Sequence, residues 1–206
     1  MSDLSDVPVQ FLGLNDSGPE AAEIIILPIP YELTTSYGQG TFYGPNSTLF
    51  ASLQVEVDDI DLEVDLSQAM FHTSPPWESD AGTLQKQLSE MSLWFDKYLS
   101  EDGFPIIIGG EHGILPPLVQ SLLRSPKSDE RLTIVQIDAH ADLRDHLDGE
   151  SYSHACAARR ALDAGATQLV QMGVRAWSSE EYSFSKNDDR VTTWTARSVL
   201  APSSSS

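Results

Sequence analysis

The segment Leu132–Asp142, LTIVQIDAHAD, constrains the fold more than any other stretch of this 206-residue chain. Its first six residues form a β-rich, largely apolar run of the kind that fills a buried parallel strand. They stop at Asp138, His140 and Asp142, three metal-capable side chains at alternate positions. Ligands of open α/β sheets bind just past the carboxyl ends of strands, so the placement suits chemistry better than core packing. A lone Asp there would read as an acidic strand end. Three alternating ligands read as a metal site.

A second strand end of the same kind lies upstream. Phe104–Ile108 (FPIII) is a short apolar run expected to be buried, followed by Gly109, Gly110, Glu111 and His112. The glycines allow a sharp turn and close backbone approach. His112 alone reads equally well as a cap on the next helix. Taken with the first motif, the two strand ends are expected to converge, bringing His112, Asp138, His140 and Asp142 within reach of one another.

The intervening pattern alternates strand and helix. Glu23–Pro28 reads as a first buried strand, and the glycines of the following SYGQGTFYG mark a loop. Leu84, Leu88, Met91, Leu93, Trp94 and Tyr98 recur at helical spacing, predicting an amphipathic helix over 81–100 with that stripe in the core. Helices are predicted at 114–124, with Pro116 and Pro117 in the first turn, and at 155–163. Strands follow at 168–172 and 190–194, and Ser178 and Glu181 have capping-box spacing. The βαβα order predicts an α/β fold with a mainly parallel sheet and helices on both faces. We read one domain over 21–200, an N-terminal arm over 1–20 and a serine-rich tail at 201–206; SPKSDER at 125–131 reads as a polar loop.

A net charge of −19 disfavours nucleic acid as a partner and suits cations. Part of the acid lies in VEVDDIDLEVDL at 55–66, which reads as a solvated strand or loop face, having no histidine or glycine turn to organise a metal. No stretch reaches the roughly 18 apolar residues of a membrane span, and the acidic N-terminus is unlike a signal peptide. No membrane partner and a cytoplasmic location are expected. The single cysteine, Cys156, excludes an internal disulfide and reads as a small hydrophobe. His72 and His146 read as ordinary surface or loop residues.

The motifs GGEHG at 109–113, DAHAD at 138–142 and YSHACAARRAL at 152–162 resemble, in order, those of the ureohydrolases, the arginase and agmatinase family. The opening LPIPYELTTSYGQGTFYGP at 27–45 is more similar to the agmatinase branch. DAHAD is the specific element. The resemblance implies an arginase-like three-layer α/β/α fold and two Mn2+ ions, with nickel or zinc as alternatives. His112, Asp138 and Asp142 would serve one ion and Asp138 with His140 the other, so that Asp138 bridges. It makes His154 the proton-transferring residue near the substrate; a helix N-cap or packing role is its alternative. It further implies a small cationic guanidino substrate and a homo-oligomer.

Two departures qualify what the resemblance implies. Glu111 stands where the family usually has Asp, placing an extra methylene beside a ligand. The family also continues through a Ser-x-Asp-x-Asp motif bearing further carboxylate ligands, whereas this sequence reads RSVLAPSSSS to its end. The resemblance therefore implies a ureohydrolase lacking its C-terminal third, with an incomplete shell at each ion and little activity from this chain alone.

The chemistry that the resemblance implies explains why such a site would need these residue types. A guanidinium carbon is a poor electrophile, and two divalent ions about 3.5–4 Å apart can lower the pKa of a shared water toward about 7. Carboxylates and imidazoles without thiolates favour a hard or borderline ion. Three readings stay open: an agmatinase-type amidinohydrolase making urea and an amine, a catalytically impaired fragment that binds metal weakly or modulates a full-length homologue by oligomerising with it, and a metal-dependent amidohydrolase on another fold, for which GGEHG has no role.

Overall fold

The computed structural model describes residues 9–125 and 131–200. The first eight residues of the arm, the polar loop at 126–130 and the serine-rich tail lie outside the described residues. The chain divides into two compact units, Met1–Glu111 and His112–Ser206.

In the first unit the elements are β1 (Ile24–Ile29), α1 (Gly44–Ser52), β2 (Asp58–Asp59), β3 (Val64–Asp65), β4 (Phe71–Thr73), α2 (Leu84–Leu99) and β5 (Phe104–Gly109). β1 is central, with β4 and β5 parallel on either side. Ile25, Ile26, Leu27 and Ile29 are fully buried, as a central parallel strand requires. Ile26 packs with Leu49 of α1 and Phe71 of β4, and the arm adds Val9, Phe11, Leu12 and Leu14 to that cluster. The acidic stretch makes the small antiparallel pair β2–β3, whose residues are all exposed, in line with a solvated face.

Two sequence expectations fail here. α2 buries Leu88, Met91, Ser92, Phe95 and Leu99, while Leu93 is 63% exposed. Steps of three and four from Leu88 run through Phe95 and leave Leu93 on the far side. His72 is a buried residue of β4, not a surface one: its Nδ1 lies 2.8 Å from Asp16 Oδ1, and its ring stacks on Tyr98 of α2.

In the second unit the elements are α3 (Leu115–Arg124), β6 (Thr133–Ile137), α4 (Ala157–Ala164), β7 (Gln168–Val174), α5 (Ser179–Asn187), β8 (Val191–Thr195) and α6 (Ala196–Leu200). β6, β7 and β8 form a parallel sheet in that order. Ile134, Leu169 and Val191 occupy one row of it, packed with Val119 of α3 and Ala158, Ala161 and Leu162 of α4. The capping box forms in full: Ser178 Oγ accepts from Glu181 N, and the Glu181 carboxylate accepts from Ser178 N.

β5 and β6 are not buried on both faces as expected. Phe104 and Ile106 on β5, and Val135 and Ile137 on β6, are exposed. Each strand is an edge of its sheet among the described residues, and alternate side chains point to an uncovered face. No helix among the described residues is long and apolar enough to cross a membrane.

Candidate metal centre

The candidate site lies in the second unit, where β6 ends. Asp138 N donates to Met172 O at 3.0 Å, which keeps the chain on the sheet for one residue beyond the strand. Gly173 lies opposite, at an irregularity in the β7–β8 register, with φ +93°. A Cβ there would stand 3.3 Å from Asp138 O, so the close approach of the two backbones requires glycine.

Beyond Asp138 the chain runs on beside the segment that follows β7, with His140 bridging Ala176 in parallel. Asp138 Oδ1 accepts from His140 N at 2.9 Å, and Ala139 O accepts from Arg175 N and Ala176 N. Ala141 is fully buried, and Asp142 adopts a left-handed conformation with φ 51°. Leu143 N then donates to Glu181 Oε1 at 3.2 Å, tying the loop to the N-terminus of α5. Asp142 is thereby buried and turned toward His112, which opens a short 3₁₀ turn, His112–Ile114, packed against a second 3₁₀ turn, His154–Cys156.

His112 Nδ1 lies 2.6 Å from Asp142 Oδ2 and 3.7 Å from Asp138 Oδ2. One ligand atom from each of His112, Asp138 and Asp142 falls within 4.8 Å of the others. His140 stands beside them: its Nδ1 is 3.5 Å from Asp138 Oδ1, its side chain is 66% exposed, and it is not part of the triplet. His154 begins its turn after the N-cap Ser153, whose hydroxyl accepts from Ala155 N, so the capping role belongs to Ser153. His146 is exposed beside Asp145.

The site is electrostatically paired. Burial pushes the His112 imidazole down, but the hydrogen bond and charge of Asp142, with the charge of Asp138, outweigh it and raise its pKa. Burial pushes Asp138 up, yet the His140 N–H, the His112 charge and a bond from Gln136 together hold its carboxyl below the ordinary value. Burial lifts the Cys156 thiol to about 11, so it packs as a neutral group and supplies no thiolate.

One imidazole and two carboxylates converging from two loops fit a hard or borderline divalent ion, because opposite charge and oxygen donors suit such ions without thiolates. Sequence reasoning missed Gln136 and Gln171, two buried polar residues beside the loop, and, for the capping-box Glu181, its bond to Leu143 N. The signal for the glutamines was an amide at an inward position of each strand, in TIVQI and QLVQM.

The sequence profile of the arginase family matches residues 22–203. The chain belongs to the arginase family. It is 34% identical over 165 residues to the N(1)-aminopropylagmatine ureohydrolase of Synechocystis sp., a span covering 78% of this chain and 53% of that protein. It is 28% identical to the agmatinase of Halalkalibacterium halodurans, over 84% of this chain and 60% of that one. The crystal structure of the agmatine ureohydrolase of Thermoplasma volcanium superposes with a TM-score of 0.79 at 26% identity, covering 94% of this chain and 63% of the other. The formimidoylglutamase of Bacillus subtilis shares the fold, with a TM-score of 0.80 at 18% identity, over 92% of this chain and 60% of that one. The chain thus spans little more than half the length of the curated relatives it matches.

Within this arginase-family chain the GGEHG motif has a local explanation. Gly110 leaves no room for a Cβ against the Tyr31 backbone. Glu111 is buried, and both its carboxylate oxygens are engaged: Oε2 accepts from Leu33 N and Thr34 N, and Oε1 from the Thr34 hydroxyl.

Proposed function

We propose that this chain carries part of the active centre of an agmatinase-type amidinohydrolase, cleaving a guanidino C–N bond to give urea and an amine. The observation that carries the reading is the convergence of His112, Asp138 and Asp142 within 4.8 Å at the end of β6. Its relatives named agmatinase and N(1)-aminopropylagmatine ureohydrolase support agmatine or a related cationic guanidino compound as substrate.

In this reading His112, Asp138 and Asp142 hold one divalent ion and Asp138 with His140 a second, with manganese as the metal. Bound ions of this kind supply an activated water and neutralise charge developing on the substrate. The chain's own residues do the rest. Asp138 and Asp142 offset the cations, and the His140 N–H fixes the Asp138 carboxylate. His154 delivers a proton from its imidazole to the departing amine nitrogen, the general-acid role that histidine most often fills. The net charge of −19 favours approach of a cationic substrate, and the protein acts in the cytoplasm as a homo-oligomer.

The open edges of β5 and β6 favour a second reading, in which the chain binds metal and acts by joining a longer homologue. Urea release from agmatine and related guanidino compounds by manganese-loaded protein separates the two. Turnover of about 1 s⁻¹ or more, abolished by Asp138→Ala, supports the enzyme. Bound manganese without urea from any guanidino compound supports the second reading, and absence of manganese binding overturns both.

A further inference from the structure

Polar side chains run across the second unit's sheet in register. Gln136 on β6 is paired with Gln171 on β7, and Gln171 with Thr193 on β8. Two residues back along each strand, on the same face, are Ile134, Leu169 and Val191 of the apolar core. The row nearer the strands' carboxyl ends is no less buried at its centre: Gln171 is fully buried and Gln136 nearly so. Amides in such places are costly unless bonded, and leucine or methionine would continue the core without that cost.

The hydrogen bonds of this row point one way. The Thr193 hydroxyl donates to Gln171 Oε1 at 2.9 Å. Gln171 Nε2 donates to Gln136 Oε1 at 2.8 Å and to Ala141 O at 2.6 Å. Gln136 Nε2, with two hydrogens to give, reaches His140 O at 3.4 Å and Asp142 Oδ2 at 3.5 Å. Backbone carbonyls accept only, so Ala141 O and His140 O fix which end of each amide faces the loop. Both carbonyls belong to residues just before Asp142, whose own backbone is left-handed.

We propose that Thr193, Gln171 and Gln136 form a positioning relay that sets the Asp138–Asp142 loop and aims the Asp142 carboxylate at His112. The relay deepens the metal-centre reading and rests on it for its purpose. A donor directed at a ligating carboxylate fixes its orientation, and losing such a partner typically weakens metal binding 10–100-fold. A fully apolar ladder would hold the three strands together but leave two loop carbonyls and Asp142 without these donors.

Three variants and three measurements test the relay. Gln136→Met keeps the volume and removes the donor; calorimetric titration with manganese should show binding about tenfold weaker than the parent. Val191→Ala, in the apolar row, should lower the thermal midpoint and leave that affinity unchanged. Thr193→Val acts from the far end of the relay, and in metal-free protein it should move the side-chain carboxyl carbon resonance of Asp142. An Asp142 resonance unmoved by Thr193→Val, or a Gln136→Met protein binding manganese within about twofold of the parent, overturns the proposal. If Gln136→Met does not fold, the Thr193→Val resonance decides. If the parent binds no manganese while that resonance moves, the metal reading falls and the relay stands.

Discussion

His112 and Asp142, 30 positions apart, meet at 2.6 Å between Nδ1 and Oδ2, the first supplied by a 3₁₀ turn and the second by a loop. The pairing raises the His112 pKa, so its contribution to stability has a definite sign with pH. A raised histidine stabilises fully below its unfolded value, about 6.5, and the contribution fades as pH rises through the higher folded value. In metal-free protein, the gap in urea midpoint between parent and His112→Gln should be widest near about pH 6 and shrink toward about pH 9. A gap that widens with pH would show that the ion pair is not formed.

Asp138 is the shared carboxylate of the site. Its Oδ2 lies 3.7 Å from His112 and its Oδ1 3.5 Å from His140, which itself stays outside the His112–Asp138–Asp142 triplet. Asp138→Ala should therefore abolish manganese binding, whereas His140→Ala should leave the site formed by the other three. Calorimetric stoichiometry distinguishes them, and equal loss from both substitutions would rule out a bridging Asp138.

Much of this was legible in sequence for reasons the structure makes plain. The change from TIVQI to DAHAD marks a strand end because apolar alternation stops where the chain leaves the sheet. What alternation misplaces is His140. Residues 138, 140 and 142 share a side only while the chain is extended, and at Asp142 it is not: its φ of 51° breaks the alternation, Asp142 is buried and His140 is exposed. β4 escaped notice because three residues are too few to show a period, so His72 lacked a strand to sit on. The amide relay was hidden for another reason. A single glutamine in a strand reads as a solvent-facing position, and only the register of three strands places Gln136, Gln171 and Thr193 in one row.

Gly173→Ala tests the closeness of the backbones beside Asp138. The position has φ +93°, and a Cβ would stand 3.3 Å from Asp138 O. Strain from the backbone alone should cost about 1–3 kcal/mol, read as a lowered urea midpoint at unchanged slope. Manganese affinity should fall as well, because relief of the contact shifts Asp138. Unchanged stability would contradict the positive-φ strain assigned to this position.

Neighbouring glutamates at the start of α5 should differ sharply. Glu181 is buried and accepts from Leu143 N and Ser178 N, so Glu181→Ala leaves the buried loop N–H of Leu143 unpaired. The expected loss is about 1–3 kcal/mol. Glu180 is exposed and accepts only a 3.4 Å contact from Asp145 N, so Glu180→Ala should change stability by about 0.5 kcal/mol at most. Equal effects in chemical denaturation would contradict the anchoring assigned to Glu181.

The edge of the second sheet makes a prediction about solution behaviour. β6 is paired on one side only among the described residues, and Val135 and Ile137 are 62% and 83% exposed on its uncovered face. An open edge presents unpaired N–H and C=O groups, and apolar side chains beside it reward any strand that docks there. A single charge is the usual deterrent, since docking would then bury it without a partner. Val135 suits the test because it lies three residues before Asp138 and faces away from the row containing Ile134 and Gln136. Val135→Lys in the 206-residue chain should raise severalfold the protein concentration at which light scattering begins, leaving manganese affinity unchanged. If scattering begins at the same concentration, association of the chain runs through another surface, and the β5 edge with its exposed Phe104 and Ile106 is the next to substitute.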